Sequence, residues 1–399
     1  MPKVLQINVD ATNGSNGGIA RSIGDLIVSE GWSSYIAYGR NAIPSDTSKI
    51  IRIGNIMDVY LHGISSRLFD NHGLSSSIVT KNFIRTIEKI NPDIIHLHNI
   101  HGYFLNYRLL FDYLSKTGKP VVWTLHDCWA MTGHCAHFVT ANCNKWQFGC
   151  NNCPLKKDYP KSIFIDNSKN NYLQKRNSFN KVKNLTIVPV SNWIASFLSQ
   201  SYLSSHKVEV IHNGVDLDIF KPRENNIRLK HSINSKGIVL GVCSKWTKAK
   251  GLNEFIRLSE ETEMQVILIG VDESLKKKLP TNIISISRTE NQEHLAEYYS
   301  SADVFVNPTY ADTFPTVNLE ALACGTPVVT YRTGGSPESV SEDCGCVVEC
   351  GDFEALKSAI YSIMYKKQLY SSNCRKRAES LYDKNECYMK YYNLYKSIL

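Results

Sequence analysis

Residues 304–331 of this 399-residue chain read VFVNPTYADTFPTVNLEALACGTPVVTY. The apolar runs Val304–Asn307 and Val328–Tyr331 predict two strands, and residues 318–323 between them predict a helix. Gly325 and Pro327 mark the turn into the second strand. A strand, a helix and a second strand in this order are typical of a parallel βαβ unit.

The same alternation extends through both halves of the chain. Further strands are predicted at residues 4–9, 34–38, 94–98, 121–125, 186–190, 208–211, 238–243 and 266–269. Helices are predicted at residues 19–29, 79–90, 252–261 and 294–301, with a mostly helical tail from Phe353 onward. Short apolar strands separated by helices indicate parallel sheets covered on both faces. We therefore predict the α/β class, with two doubly wound Rossmann-like domains facing across a cleft.

The predicted organisation has three segments. The first Rossmann-like domain takes residues 1–215 and contains a cysteine-rich loop at 128–153, and the second domain takes residues 216–375. A helical tail at 376–399 is expected to pack back towards the first domain. The polar stretch 220–236, which is rich in asparagine, is the linker candidate.

Composition limits the function classes. Hydrophobic residues make up 43% of the chain, and the net charge is +8. This excess of positive charge favours anionic partners such as diphosphates or phospholipid headgroups over nucleic acid. The densest basic stretch, 156–183, is either a solvated face or a lipid-facing patch.

Localisation is predicted from what the sequence lacks. No signal peptide pattern opens the chain, and no apolar run approaches the ~18–20 residues that span a bilayer. We expect a cytoplasmic protein with mostly reduced cysteines. If the basic stretch faces lipid, the protein would associate peripherally with the inner face of the membrane.

Two carboxylates eight residues apart are the most informative chemical feature. Asp312 follows a predicted strand, and Glu320 lies on the helix after it. The backbone of Thr313, Phe314, Pro315 and Thr316 leads into the positive end of this helix, where it can meet a polar ligand. Such a spacing also occurs by chance, and its position after a strand favours function.

Lys245 and Lys250 lie in the sequence CSKWTKAKG, between another predicted strand and a helix. Cations at the carboxyl end of a strand suit a leaving diphosphate. The alternative is a solvated lysine-rich turn.

Two features of the first half complete the candidate set. Gly17 and Gly18 join the first strand to the first helix, where glycine lets the backbone approach a phosphate or a sugar. His126 ends a strand and can face the cleft, although His96, His98 and His101 compete for any role assigned to it.

Four cysteines are clustered after His126. Cys135, Cys143, Cys150 and Cys153 have the spacing C-x7-C-x6-C-x2-C, in a loop rich in aromatic residues. Four thiolates can form a closed tetrahedral zinc site. Free buried thiols or a redox pair are the alternatives. Any metal here would be architectural, because the lysines take the place of a catalytic cation.

Several motifs in order carry a resemblance to a known family. They are Gly17-Gly18, Ile95-His-Leu-His98, Thr124-Leu-His126, Val190-Ser-Asn-Trp193, His212-Asn-Gly-Val-Asp216, Lys250-Gly251, the segment from Asp312 to Glu320, and Gly334-Gly-Ser-Pro-Glu338. Over nearly its whole length the chain resembles family 4 of the retaining glycosyltransferases, which have the GT-B fold. It looks most like the branch that serves capsule, O-antigen and exopolysaccharide synthesis.

The resemblance implies a role for each matching residue. Glu320 would bind the nucleotide ribose, and Asp312, which stands where a glutamate is usual, would lie near the hydroxyls of the donor sugar. Lys245, which stands where an arginine is usual, and Lys250 would bind the diphosphate. His126 would lie beside the transferred sugar. Gly17, Gly18 and the segment from Thr313 to Thr316 would complete the donor site.

The resemblance also implies the partners. These are a nucleotide-sugar donor, bound by the second domain, and a glycan or polyprenyl-diphosphate-linked acceptor on the side of the first. No catalytic cofactor is expected. A sugar-nucleotide epimerase, a phosphorylase and a non-catalytic nucleotide-sugar or glycan-binding protein are the competing hypotheses. A phosphorylase would need a pyridoxal-binding lysine setting that we do not find, and the retained acids and lysines favour catalysis over simple binding.

Overall fold

A computed structural model of the chain describes residues 1–11, 14–235 and 237–399. The chain forms two compact units, Met1–His212 together with Tyr388–Leu399, and Asn213–Cys387. Each unit is built on one parallel sheet with helices between its strands.

The sheet of the first unit has the order β3-β2-β1-β4-β5-β6-β7, and every neighbouring pair is parallel. Its strands are β1 (Lys3–Asn8), β2 (Ser33–Tyr38), β3 (Lys49–Arg52), β4 (Ile94–Leu97), β5 (Val121–Leu125), β6 (Leu185–Pro189) and β7 (Lys207–Val208). Its helices are α1 (Gly14–Ser29), α2 (Ile56–Phe69), α3 (Ser77–Ile90), α4 (Tyr107–Thr117), α5 (Ser168–Phe179) and α6 (Asn192–Leu198). The central strands β4, β5 and β6 are buried along their whole length, as expected of a sheet covered on both faces.

The sheet of the second unit has the order β10-β9-β8-β11-β12-β13, again with parallel neighbours. Its strands are β8 (Ile238–Val242), β9 (Gln265–Ile269), β10 (Ile284–Ile286), β11 (Val304–Asn307), β12 (Val328–Tyr331) and β13 (Gly345–Val348). Its helices are α7 (Ile227–Lys230), α8 (Leu252–Glu261), α9 (Glu273–Lys276), α10 (Gln292–Ser301), α11 (Thr316–Ala323), α12 (Ser336–Ser339), α13 (Phe353–Tyr365) and α14 (Lys367–Leu381). A last helix, α15 (Lys384–Ile398), begins in this unit and ends in the first.

The predicted α/β class with two doubly wound sheets is confirmed. The βαβ unit of residues 304–331 has the predicted strand bounds, and its helix α11 begins at Thr316, two residues before the predicted start. Two bounds in the first half were wrong. Helix α1 begins at Gly14 instead of residue 19, and β7 is a short edge strand instead of residues 208–211. Glycine has weak helix propensity, which is why the glycine-rich start of α1 resembled a turn in the sequence.

The boundary between the two units lies between His212 and Asn213, whereas the sequence suggested a boundary at 215/216. The polar stretch 220–236 belongs to the second unit. Its residue Lys236 lies outside the described residues, but Phe220 and Ile227 are buried in the core of that unit. This stretch is therefore a packed segment and not a linker.

The C-terminal residues complete the core of the first unit. Tyr395 Oη lies 2.6 Å from Nδ1 of the buried His96 on β4, and Tyr391 Oη lies 2.9 Å from Oγ1 of Thr124 on β5. Both tyrosines are almost fully buried. The end of α15 thus satisfies polar groups that the sheet buries.

We expect Tyr395→Phe to lower the free energy of unfolding by about 1–3 kcal/mol, because it leaves a buried ring nitrogen of His96 without its hydrogen bond. Urea unfolding of the whole chain, followed by circular dichroism, measures the change. The control is Tyr392→Phe on the same helix, since Tyr392 is partly exposed and its hydroxyl can stay in water. Equal losses in the two variants would contradict the proposed anchor.

Candidate active site

Strand order reverses once in each sheet, and doubly wound folds bind ligands at such a reversal. In the second unit the reversal lies between β8 and β11, which are neighbours in the sheet but not in the sequence. From here the chain proceeds to β9 on one side and to β12 on the other. In folds of this kind the ligand-binding crevice lies at the carboxyl ends of the two strands that flank the reversal, here β8 and β11.

An ion pair occupies this crevice. Lys250, from the loop after β8, places its Nζ 2.8 Å from Oδ2 of Asp312, from the loop after β11. The same Nζ donates to the Ala311 carbonyl oxygen at 3.3 Å. Burial lowers the pKa of Lys250, but the charge and hydrogen bond of Asp312 more than offset this, so that the pKa lies above its usual value. A permanent cation is thus held at the point where a ligand is expected.

Two glycines allow the loops around the ion pair to meet. Gly251 has φ +73°, and a Cβ there would lie 2.4 Å from the Pro308 carbonyl oxygen. Gly334 has φ +57°, and a Cβ there would lie 1.6 Å from the carbonyl oxygen of Asp312. No side chain fits either position without moving the backbone, so the close approach of the loops after β8, β11 and β12 depends on glycine.

The segment after Asp312 leads directly into α11. The Thr313 amide donates to Oδ1 of Asp312 at 2.9 Å, and the Phe314 side chain is buried. Pro315 is the N-cap and Thr316 is the first residue of the helix. The amides at this helix end carry partial positive charge that suits an anionic or hydroxylated ligand.

Glu320 lies one turn further along α11 and is partly buried. Its Oε2 accepts a hydrogen bond of 2.8 Å from the hydroxyl of Tyr299 on α10. Burial raises the pKa of Glu320 from 4.5 to about 7, although the hydrogen bond from Tyr299 acts in the opposite direction. The carboxylate therefore titrates near neutral pH when no ligand is bound.

Lys245 lies on the exposed loop beyond the end of β8. The loop is fixed on either side of it, because the Cys243 thiol donates to the Lys245 carbonyl oxygen at 3.2 Å and the Trp246 indole donates to Ile269 at 2.9 Å. The second unit thus contains eight of the predicted site residues, namely Lys245, Lys250, Glu320 and the segment from Asp312 to Thr316. Lys250 and Asp312 form an ion pair.

The first unit contains a chain of buried side chains that includes His126. The Gln6 side-chain amide donates to the Ala20 carbonyl oxygen, so its Oε1 accepts from Nε2 of His98 at 3.0 Å. Nδ1 of His98 must then accept from Nε2 of His126, 3.1 Å away. Burial lowers the pKa of His126 to about 4, although Asp127 opposes the shift. His126 is thus neutral, with Nδ1 as a hydrogen-bond acceptor.

A second polar group follows His126 in the chain. Asp127 Oδ2 lies 2.9 Å from Nε2 of His101, and Nδ1 of His101 lies 3.1 Å from the Tyr159 hydroxyl. Burial raises the pKa of Asp127, but the charge and hydrogen bond of His101 outweigh it and hold this pKa well below the usual value. Asp127 is ionised, and His101 is oriented by it.

The glycine pair lies elsewhere than predicted. Gly17 and Gly18 are inside α1, not in a turn that precedes the helix, because the helical hydrogen bonds already begin at Gly14. Thr12 and Asn13, which belong to the same predicted loop, lie outside the described residues. Open space surrounds the position of a Cβ at Gly18, so this glycine leaves room beside the helix.

The four clustered cysteines line one pocket of the first unit. All twelve cysteines of the chain, which lie in the described ranges, carry free thiols. Within those ranges no three histidine, cysteine or carboxylate side chains lie at the separations of a metal site. The zinc site therefore stays a prediction.

Several of these polar contacts could not be read from the sequence. Gln6 and His98 are 92 residues apart, and Tyr299 precedes Glu320 by 21. Only Asp127 had a local signal, since it adjoins His126 at the end of a strand.

Two doubly wound parallel sheets, each with one reversal of strand order, are the architecture of the GT-B fold. The family model described as Glycosyltransferase Family 4 matches residues 46–219, and the one described as Glycosyl transferases group 1 matches residues 223–381. The chain belongs to this glycosyltransferase family.

Individual proteins agree with this assignment. The putative colanic acid biosynthesis glycosyl transferase WcaC of Escherichia coli is 24% identical over 99% of this chain and 100% of its own length. The sucrose-phosphate synthase from Thermosynechococcus elongatus superposes with a TM-score of 0.74 at 17% identity, covering 100% of this chain and 99% of that one. HepE from Anabaena in complex with UDP gives 0.69 at 14% identity, covering 100% of both chains.

We expect the free energy of unfolding of the ligand-free protein to decrease between pH ~5 and ~8 because Glu320 loses its proton. The pKa of this group is higher in the folded chain, so its stabilising contribution is present below pH 4.5 and is lost as the pH rises through about 7. Glu320→Gln removes this loss, and the variant should gain up to about 3 kcal/mol relative to wild type at pH 8.

Urea unfolding across this pH range measures the difference. The control is Glu260→Gln, because Glu260 is exposed on α8. A pH-independent difference between Glu320→Gln and wild type would contradict the raised pKa.

Proposed function

We propose that the protein is a retaining glycosyltransferase that moves a sugar from a nucleotide-sugar donor to a lipid-linked or oligosaccharide acceptor in bacterial surface polysaccharide synthesis. The observation that carries the proposal is the contact between Lys250 and Asp312 at the strand-order reversal of the second unit. It joins a cation that suits a diphosphate to a carboxylate that suits sugar hydroxyls.

On donor binding, the diphosphate would take the Lys250 ammonium from Asp312, and Lys245 would add a second positive charge. Asp312 would then accept hydrogen bonds from hydroxyls of the donor sugar. Glu320, as a carboxylate, would accept them from the ribose. The lysines would stabilise the negative charge that develops on the leaving diphosphate, which is the main electrostatic requirement of the reaction.

In the transfer step the bond between the anomeric carbon and the phosphate oxygen breaks, and its electron pair stays on the nucleoside diphosphate. The acceptor oxygen bonds to the same face of the anomeric carbon, and its proton passes to the leaving phosphate oxygen. Atoms and charges balance without a further base. In this scheme His126, which is neutral, would lie beside the transferred sugar.

The polysaccharide context is supported by the Escherichia coli relative, whose name assigns it to colanic acid biosynthesis. The structure of HepE in complex with UDP shares the fold at 14% identity, so UDP-sugars are the first donors to test.

We further propose that the protein binds its acceptor at the inner face of a membrane. Helix α2 carries an exposed apolar stripe of Ile56, Met57, Tyr60, Leu61 and Ile64, each more than half exposed. Among the described residues no helix is long and apolar enough to cross a bilayer, so this stripe would lie on the membrane surface.

A second apolar segment adjoins the stripe. The Ile163 amide donates to the Arg67 carbonyl oxygen of α2 at 2.8 Å, and the next residue, Phe164, is 71% exposed. Lys156 donates to the Phe164 carbonyl oxygen at 3.1 Å, which places a basic side chain beside the apolar surface. Apolar groups flanked by basic ones favour anionic phospholipids.

We expect Lys250→Ala and Glu320→Gln each to lower turnover by at least ~100-fold, as for the loss of one electrostatic stabiliser of a transition state. Turnover is followed as nucleotide release from a panel of nucleotide sugars, with cell-derived lipid-linked acceptors and with EDTA present. The control is Lys248→Ala, which removes an exposed lysine from the same loop.

The anomeric configuration of the product, determined by NMR, tests retention separately. Near-wild-type turnover in both active-site variants would overturn the site. Nucleotide release that needs no acceptor and yields no new glycoside would favour an epimerase or a hydrolase.

We expect the protein to co-sediment with vesicles of phosphatidylglycerol and phosphatidylcholine, and much less with phosphatidylcholine alone. The double variant Tyr60→Ser with Leu61→Ser should lose most of this binding, because it removes the centre of the α2 stripe. The control is Leu229→Ser, which removes an exposed leucine from the second unit. Unchanged binding of the double variant would exclude α2 as the membrane surface.

A further inference from the structure

The loop after His126 folds around a pocket that collects soft donor atoms. His134, Cys135, Cys143, Cys150 and Cys153 all line it. Their side chains come from one stretch of about 20 residues that contains only short 3-10 turns. Such a stretch needs tertiary contacts to stay ordered, because it has little regular backbone hydrogen bonding of its own.

The orientation of His134 is set by a buried carboxylate. Nδ1 of His134 lies 2.6 Å from Oδ1 of Asp70, and both side chains are about 1% exposed. The other oxygen of Asp70 accepts the Asn167 amide at 2.7 Å. A carboxylate only accepts, so Nδ1 carries a proton, and Nε2 is the ring atom that can offer a lone pair to a metal ion.

This lone pair has no partner. Nε2 of His134 is buried and makes no hydrogen bond to any of the described residues, although it belongs to a side chain that lines the pocket of thiols. A buried acceptor of this kind calls for a donor or a metal ion. A histidine whose second ring nitrogen is held by a carboxylate is the usual arrangement of a zinc ligand.

We propose that this pocket is a structural zinc site whose four ligands are Nε2 of His134 and the sulfur atoms of Cys143, Cys150 and Cys153. Three thiol protons leave to solvent as the zinc–sulfur bonds form, and the imidazole contributes its lone pair. The resulting centre carries one negative charge.

Cys135 is left out of the ligand set because it follows His134 directly and zinc needs only four of the five donors. The Gly133 amide, which donates to Cys150 at 3.2 Å, supports a ligand sulfur.

A buried cation complements the charge of the centre. Lys175 is 1% exposed, and its Nζ donates to the Trp129 and Thr132 carbonyl oxygens at 2.8 and 3.0 Å. The same Nζ lies 3.4 Å from the centre of the Trp129 ring. The groups that act electrostatically on the lysine are Cys150 and Cys135 of the pocket, followed by Asp127 and Asp70. An anionic zinc centre would add to the negative charge around Lys175.

The donors line the pocket without yet lying at ligand separations, so zinc binding has to draw residues 143–153 together. Site formation and local folding then share one free energy. The ordered loop would extend to Asp166, which accepts the Cys153 amide, and so to the segment that carries Phe164.

The test is metal content and spectroscopy of the full chain, purified without chelators. We expect about one zinc per chain in wild type and in Cys135→Ser, and loss of zinc in His134→Ala and Cys150→Ser. Asp70→Asn should weaken zinc binding 10–100-fold, as expected for loss of the carboxylate that orients a ligand histidine. Cys243→Ser in the second unit is the matched control. Far-ultraviolet circular dichroism checks that each variant is folded.

Replacement of zinc by Co²⁺ distinguishes the ligand sets, because the thiolate-to-cobalt charge-transfer absorption grows with the number of thiolates. A three-thiolate intensity that is unchanged in Cys135→Ser supports the proposal. A four-thiolate intensity that falls in Cys135→Ser, with metal retained in His134→Ala, would overturn this ligand set. Wild-type protein that contains no zinc and takes none up, with all four thiols freely titratable or two of them oxidised to a disulfide, would overturn the site.

Discussion

The single reversal of strand order in each parallel sheet is the constraint on which the chemistry depends. The two strands that flank the reversal are followed by connections that run to opposite sides of the sheet. No crossover therefore covers the carboxyl ends of these strands, and a crevice remains there. In the second unit, Lys250 and Asp312 meet there across the β8–β11 pair. A donor diphosphate would therefore replace the ion pair between Lys250 and Asp312 by an ion pair between Lys250 and phosphate. The binding free energy would depend on the difference in energy between these two ion pairs, which favours a doubly charged ligand over a singly charged one.

The fold could be predicted from the sequence wherever a strand is buried on both faces. Val304–Asn307 and Val328–Tyr331 are continuous apolar runs with glycine or proline at their ends, and their bounds were correct. Helix α2 was missed because its solvent-facing side is apolar, so that it lacks the polar stripe of an ordinary surface helix. The first turn of α1 was missed because its glycines have weak helix propensity, so that the local sequence predicts a turn.

The candidate site could be predicted in part. The types of residue after β8 and β11 indicated a diphosphate and a polar ligand, and the parallel sheet brings Lys250 and Asp312 into contact. The hydrogen-bond partners and the burial of these residues depend on contacts with parts of the chain that are distant in the sequence. The proton on His126 is assigned through His98 and Gln6, and the pKa of Glu320 depends on burial by neighbours that no local pattern identifies. The contact between His134 and Asp70, which lies 64 positions away in the sequence, could not be predicted for the same reason.

The return of the last residues to the first unit has a consequence for how the protein is made. The ring of His96 is buried with a partner, Tyr395, that lies 299 positions later in the chain. A ribosome therefore delivers the whole of the second unit before the first can complete its core. Until α15 has been synthesised, β4 and β5 would expose the surface that this helix covers, which makes the nascent chain prone to aggregation.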